Sequence, residues 1–182
     1  SKFKSPFKLY GIGSLIEVKN PNLFINFISL LKQNEINYEA FWIGDGILKT
    51  ELVKLTKERK LNINWLGHLD KDEVLKHLSQ ATYLIQTSLF EVYPTVVLES
   101  FLFGTPVITT NYFGVDELIK DFQNGIILKG DKFDEIKIIS MFKDQNKYVE
   151  MSNSCKNQFI NSHQNHNFTA DFYRKIYQKL IN

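Results

Sequence analysis

TYLIQTSLFEVYPTVVLESFLFGTPVIT, Thr82 to Thr109, holds a whole structural unit in one stretch. The apolar run Thr82 to Gln86 reads as a strand. Pro94 then favours the first turn of a helix, where its missing N–H costs nothing. Gly104 ends that helix, and Pro106 to Thr109 is the next strand. Two strands joined by a helix of this length pair in parallel with a crossover.

The same alternation runs outward in both directions. Upstream, strands are expected at Lys8 to Ile12, Tyr38 to Ile43 and Asn62 to Leu66. Helices are expected at Pro21 to Gln33, Leu48 to Arg59 and Asp70 to Gln80, the last with Asp70 as N-cap and Glu73 at the capping-box position. Leu23, Phe24, Phe27, Ile28, Leu30 and Leu31 recur at helical spacing and mark a buried face. Downstream, Val115 to Lys120 reads as helical and Gly125 to Leu128 as extended. From about Phe133 to Asn182 only helices are expected, the last over Thr169 to Leu180. Repeated β-α units predict an α/β fold: a Rossmann-like, doubly wound, mainly parallel sheet with helices on both faces and a helical C-terminal tail.

The 182 residues suit one domain with a sizeable core. A net charge of +2, with Arg59 and Arg174 the sole arginines, argues against a large nucleic-acid footprint. One cysteine, Cys155, suits a reducing compartment. No apolar run approaches the ~18 residues of a membrane span, and no segment reads as a signal peptide, so a cytoplasmic location is expected. The chain starts at Ser1 and its methionines are Met141 and Met151, which reads as a piece of a longer protein. The sequon at Asn167-Phe168-Thr169 reads as a chance match in an Asn-rich chain.

In a doubly wound sheet ligands sit outside the carboxyl ends of the strands, so the loops after each strand are where chemistry belongs. After the first strand, Gly11-Ile12-Gly13-Ser14 begins like a dinucleotide fingerprint. Ile16 stands where a third glycine would be, and there is no GK[ST] of a P-loop. A tight turn and a phosphate-approaching loop both remain open there, with Lys19 the residue that would serve the second. Gly44-Asp45-Gly46 reads as a chain reversal. His68 reads as a solvated loop histidine more readily than a ligand contact. His163 and His166 share metal-compatible spacing but lack a Cys or carboxylate set beside them, which favours a solvated helix end or loop over a metal site.

The loop after the fourth strand says most. The amides of Thr95, Val96 and Val97 would project from the N-terminus of the Pro94-started helix and attract an anion, for which a phosphate is the natural guest. Glu91 lies in the loop beside that end. Glu99, eight positions on, lies about one and a half turns into the helix. A loop carboxylate and a helix carboxylate fit binding of two parts of one ligand better than an acid/base couple. The blander readings are a capping role for Glu91 and an exposed or lysine-paired carboxylate for Glu99.

Taken together, Ser88-x2-Glu91-x2-Pro94-x4-Glu99-x4-Gly104-x-Pro106-Val107-Ile108, followed by Gly114, Glu117 and Gly125, resembles the E-x7-E region of family 4 retaining glycosyltransferases of the GT-B fold. Gly13-Ser14-Leu15 with Lys19-Asn20, Trp42-Ile43-Gly44-Asp45-Gly46 and Trp65-Leu66-Gly67 are similar to that family's first three loops. The likeness spans roughly Lys8 to Asp131, and 168–180 is similar to the family's terminal helix.

The resemblance implies one half of a GT-B enzyme, the nucleotide-sugar-binding domain, with the N-terminal acceptor domain absent from this chain. It implies transfer of a sugar from a nucleotide diphosphate sugar to an acceptor hydroxyl with retention, in surface polysaccharide biosynthesis as one plausible setting; the isolated half is expected to be inactive. Carried over by position, Glu99 would bond the ribose hydroxyls, Glu91 the donor sugar, and Lys19 the diphosphate. The amides of Thr95 and Val96 would hold the diphosphate, Gly67 and His68 would lie near the base, and Gly13, Ser14, Ser88, Tyr93 and Pro94 would complete the donor site. Neither cofactor nor metal is expected. The implied partners are a nucleotide sugar and a saccharide or lipid-linked saccharide acceptor, with peripheral association at the inner membrane face an option for the full-length protein.

Two positions depart from the family pattern. Ser14 stands where an arginine is usual, a large loss of anion stabilisation, and Val92 stands where a glycine is usual, so that positive φ is disfavoured. A non-catalytic nucleotide-sugar-binding module and a sugar-nucleotide epimerase of the same architecture are the alternatives.

Overall fold

The computed structural model describes residues 2–92, 94–128 and 134–163. Six strands, β1 (Phe7–Ile12), β2 (Tyr38–Ile43), β3 (Ile63–Gly67), β4 (Tyr83–Gln86), β5 (Val107–Thr110) and β6 (Gly125–Leu128), form one sheet. The helices are α1 (Pro21–Gln33), α2 (Lys49–Glu58), α3 (Lys71–Gln80), α4 (Thr95–Leu102), α5 (Val115–Leu118), α6 (Glu135–Met141) and α7 (Gln145–His163). The strand order is β3-β2-β1-β4-β5-β6, and every neighbouring pair is parallel. This is the doubly wound Rossmann-like arrangement that the alternation predicts.

Successive side chains of each central strand enter opposite layers, which is why the strands read as continuous apolar runs. Ile85, Ile108 and Ile126 join one buried cluster with Phe24, Phe27, Ile28 and Leu31 of α1 and Leu52 of α2. Leu84 and Val107 join another with Leu75 and Leu78 of α3 and Val97 and Phe101 of α4. Helix α7 serves both clusters, Tyr148 and Met151 entering the first and Cys155 and Phe159 the second.

Local chemistry sets the helix ends. Pro21 stands at the start of α1, where Asn20, at φ +45°, accepts a bond from Leu23 N. At α3 the capping box is complete: Asp70 accepts from Glu73 N and the Glu73 carboxylate accepts from Asp70 N. Helix α5 stops at Leu118, short of the expected Lys120, because Ile119 turns extended and Asn124 captures Lys120 N through Oδ1. The terminal helix expected over 169–180, the sequon and His166 lie outside the described residues.

Candidate functional site

Strands β1 and β4 lie side by side, but α1 carries the chain from β1 to β2 while α4 carries it from β4 to β5. The loops leaving them therefore part in opposite directions and open a crevice at the carboxyl end of the sheet. Two bonds stitch its floor: Leu89 N donates to Val18 O at 2.8 Å and Thr87 Oγ1 donates to Lys19 O at 2.9 Å. Across it Lys19 Nζ donates to Glu91 Oε1 at 2.7 Å, and Ser88 Oγ donates to the same oxygen at 2.6 Å. The structure thus unites Lys19, Ser88 and Glu91 from two loops far apart in sequence. The Glu91 and Lys19 side chains keep 13% and 27% exposure, so the pair is shielded yet reachable.

The loop that presents Lys19 is held from below. Gly13 N donates to Ile43 O, Trp42 Nε1 donates to Gly13 O, and Leu15 N donates to Asp45 O, all near 3 Å. The next loop repeats the device, Gly44 N bonding Gly67 O at 2.7 Å. A Cβ at Gly44 would sit 2.1 Å from Gly13 O, and its φ is +129°. The second glycine turn is therefore more than a chain reversal: it lets the backbones of the first and third loops close on it. Gly13 in turn lies against the Lys19 stem, an added Cβ there falling 3.5 Å from Cγ and Cδ.

Glu99 is placed by packing rather than by a loop. Leu75 and Leu78 of α3 share a buried cluster with Val97 and Phe101 of α4. The two helices bring Lys71, first residue of α3, to Glu99, where Lys71 Nζ donates to Glu99 Oε1. Glu99 is 3% exposed, which excludes the exposed-carboxylate reading and leaves the lysine-paired one. Lys71 is the residue that sequence reasoning misses: no local spacing links it to Glu99, and only the apolar stripes of α3 and α4 hint that the helices meet.

At the start of α4, Val97 N is satisfied by Pro94 O at 3.0 Å, so the expected trio of free amides reduces to Thr95 and Val96, for which no acceptor appears among the described residues. Pro94 is the N-cap and lends no side-chain bond. Ser14 and His68 are exposed, and Gly67 is half-buried with φ +74°. Val92 is not among the positive-φ residues and its side chain is 85% exposed, so the loop adopts a form that valine tolerates. Tyr93 lies outside the described residues.

Beneath Glu91 a shelf of buried polar groups closes the crevice: Gln86, Thr87, Ser88, Thr109 and Thr110. Thr110 Oγ1 donates to Ser88 O, and the hydroxyls of Thr109 and Tyr112 reach Gln86 Oε1 at 3.4 Å. Burial, and then the Glu91 charge, push the Tyr112 phenol up to about 12. Polar residues ending otherwise apolar strands, Gln-Thr-Ser after β4 and Thr-Thr in β5, are the sequence signal that marks this shelf.

Each glutamate thus gives Oε1 to a lysine, and neither Oε2 has a partner among the described residues. The two carboxylates can accept from hydroxyl groups, and the ammonium and the two helix-end amides can donate to an anion. Among the described residues no group of three His, Cys, Asp or Glu could hold a metal ion, and no helix is long and apolar enough to cross a membrane.

In doubly wound sheets the switch point is where ligands are taken up. The chain belongs to the glycosyl transferases group 1 family, whose model matches residues 1–158. It is 32% identical over 162 residues to the Campylobacter jejuni GalNAc-alpha-(1->4)-GalNAc-alpha-(1->3)-diNAcBac-PP-undecaprenol alpha-1,4-N-acetyl-D-galactosaminyltransferase, covering 86% of this chain and 44% of that protein. The chain thus spans less than half the length of this relative. Among solved structures, Anabaena HepE in complex with UDP-glucose superposes with a TM-score of 0.77 at 18% identity, over 98% of this chain and 48% of that one. The C-terminal domain of LpcC, a glycosyl transferase group 1 family protein from Francisella tularensis, gives 0.75 at 18% identity, over 86% and 85% of the two chains. The structural neighbours are GT-B glycosyltransferases, and they share the fold.

Proposed function

We propose that this chain is the donor-binding half of a retaining glycosyltransferase that takes a sugar from a nucleotide diphosphate sugar. The observation that carries the reading is the Lys19-Glu91-Ser88 cluster at the switch point between β1 and β4. The likeness over nearly the whole length of an isolated C-terminal domain supports assignment to that half. Retention follows from the E-x7-E resemblance. The acceptor, by analogy with the diphospho-undecaprenol-linked saccharide in the name of the Campylobacter relative, is a lipid-linked saccharide held mainly by another domain.

In this reading negative charge grows on the leaving diphosphate as the acceptor hydroxyl attacks the sugar. Preorganised donors aimed at that charge lower the barrier. Lys19 Nζ and the amides of Thr95 and Val96 are those donors, Glu91 Oε2 accepts from a donor-sugar hydroxyl, and Glu99 accepts from the ribose. No metal enters the scheme. With serine at position 14 the diphosphate meets one cation fewer than the family pattern supplies, which favours a non-catalytic binding module as the second reading.

Calorimetry of this chain with UDP, GDP and their sugars tests the donor site. Binding of one nucleotide and its sugar conjugates is expected, and no binding by any of them to the folded chain overturns the proposal. Transfer by the full-length protein from the bound donor to a saccharide acceptor then separates enzyme from binding module, and donor interconversion without transfer identifies an epimerase.

A further inference from the structure

Glu99 is buried although it lies on the side of α4 turned away from Val97 and Phe101, which enter the core. A carboxylate this buried is strongly destabilising without a cation, and the cation supplied is Lys71, whose side chain keeps 47% exposure. The pair is asymmetric: the acid is fixed in the core and the base reaches it from the rim. Lys71 occupies only Oε1, and the neighbouring Asp70 and Glu73 are engaged with each other in the capping box.

Resting on the donor-site reading above, we propose that Lys71 is a positioning residue for ribose recognition: it orients the Glu99 carboxylate so that both oxygens accept from the vicinal 2′- and 3′-hydroxyls of a nucleoside diphosphate. A vicinal diol offers two O–H donors at the spacing of one carboxylate's oxygens, and Oε1 has a second lone pair beside the one that Lys71 uses. Without Lys71 the carboxylate loses the bond that fixes its plane, at a cost in stability. Discrimination between ribose and deoxyribose then falls, while contacts to the diphosphate, made by Lys19 and the start of α4, persist.

The test compares UDP with 2′,3′-dideoxy-UDP, or the GDP pair if guanine is the base bound, on the chain and on Lys71→Met, Lys71→Gln and Lys71→Arg, with folding checked by circular dichroism. The chain itself is expected to prefer the ribonucleotide by about 30-fold, the worth of two hydrogen bonds of ordinary net strength. Lys71→Met should cut that preference to about threefold, with affinity for the dideoxy compound unchanged, and Lys71→Arg should retain most of it. Lys71→Gln is the substitute if the methionine variant does not fold. Equal discrimination by the wild-type chain and Lys71→Met overturns the inference and leaves the donor site standing, as does tighter UDP binding by Lys71→Met, which would make the lysine a competitor for Glu99. Failure of the wild-type chain to bind any nucleoside diphosphate removes both.

Discussion

Two glutamates eight residues apart each hold a lysine, and the two pairs are built in opposite ways. Glu91 and Lys19 meet across loops that leave the sheet in different directions, both partly exposed, with Ser88 as a third member. Glu99 and Lys71 meet because two helices pack along buried stripes, and only the lysine reaches solvent. The first pair depends on the conformation of two loops. The second depends on core packing and is set before any ligand arrives. In the proposed function the loop-held pair serves the donor sugar and the helix-packed pair the nucleotide.

The contrast can be broken from the loop side with the largest effect. Gly44→Ala forces a Cβ against Gly13 O and an alanine into φ +129°. We expect a loss of about 3 kcal/mol or more of stability, measurable as a fall of roughly 10 °C in thermal midpoint. A change of less than about 1 kcal/mol would show that the glycine turns do not brace the Lys19 loop.

Next in size, Glu99→Gln should weaken both UDP and UDP-sugar by about 30-fold, because ribose is common to both. Glu91→Gln is expected to weaken the sugar conjugate about tenfold and leave UDP unchanged or slightly tighter, since Lys19 is then released to the diphosphate. Calorimetry on the two variants checks both expectations, and equal losses for nucleotide and conjugate in both would erase the proposed division of labour.

The smallest effect concerns pH. The Tyr112 phenol is raised from its ordinary value near 10 to about 12 by burial and then by Glu91. Its contribution to stability is complete below pH ~10 and is lost as pH rises through 12, since the unfolded chain releases that proton earlier. Tyr10, also pushed up to about 12, by burial and then by Glu39, contributes in the same window. Tyr112→Phe should flatten part of the alkaline decline in stability seen in denaturation curves between pH 10 and 12. An unchanged slope would mean that this phenol is not coupled to folding.

The fold was legible because its signals are local and repeated. Pro21, the Asp70/Glu73 box, and Gly104 followed by Pro106 mark boundaries through the chemistry of single turns. The apolar runs of β4 and β5 announce burial on both faces. The site was legible in its types and less so in its pairings. Lys19, Glu91 and the start of α4 could be placed from strand ends alone. The Lys71 to Glu99 bond could not, because it depends on how two helices lie against each other, which no spacing encodes. The plain readings of Glu99 were an exposed or a lysine-paired carboxylate, and its burial against a lysine from another helix is a tertiary fact. Gly44 likewise read as a turn residue until the neighbouring loop came within contact of its missing side chain.

The central claim is that the two carboxylates divide one nucleotide sugar between them. A crystal structure of this chain with the sugar conjugate of the nucleoside diphosphate that binds it most tightly tests this most directly. The predicted result has the ribose hydroxyls on the Glu99 carboxylate, the diphosphate at Lys19 and the amides of Thr95 and Val96, and the sugar on Glu91. A nucleotide bound with its ribose on Glu91, or seated away from the crevice between β1 and β4, would contradict it.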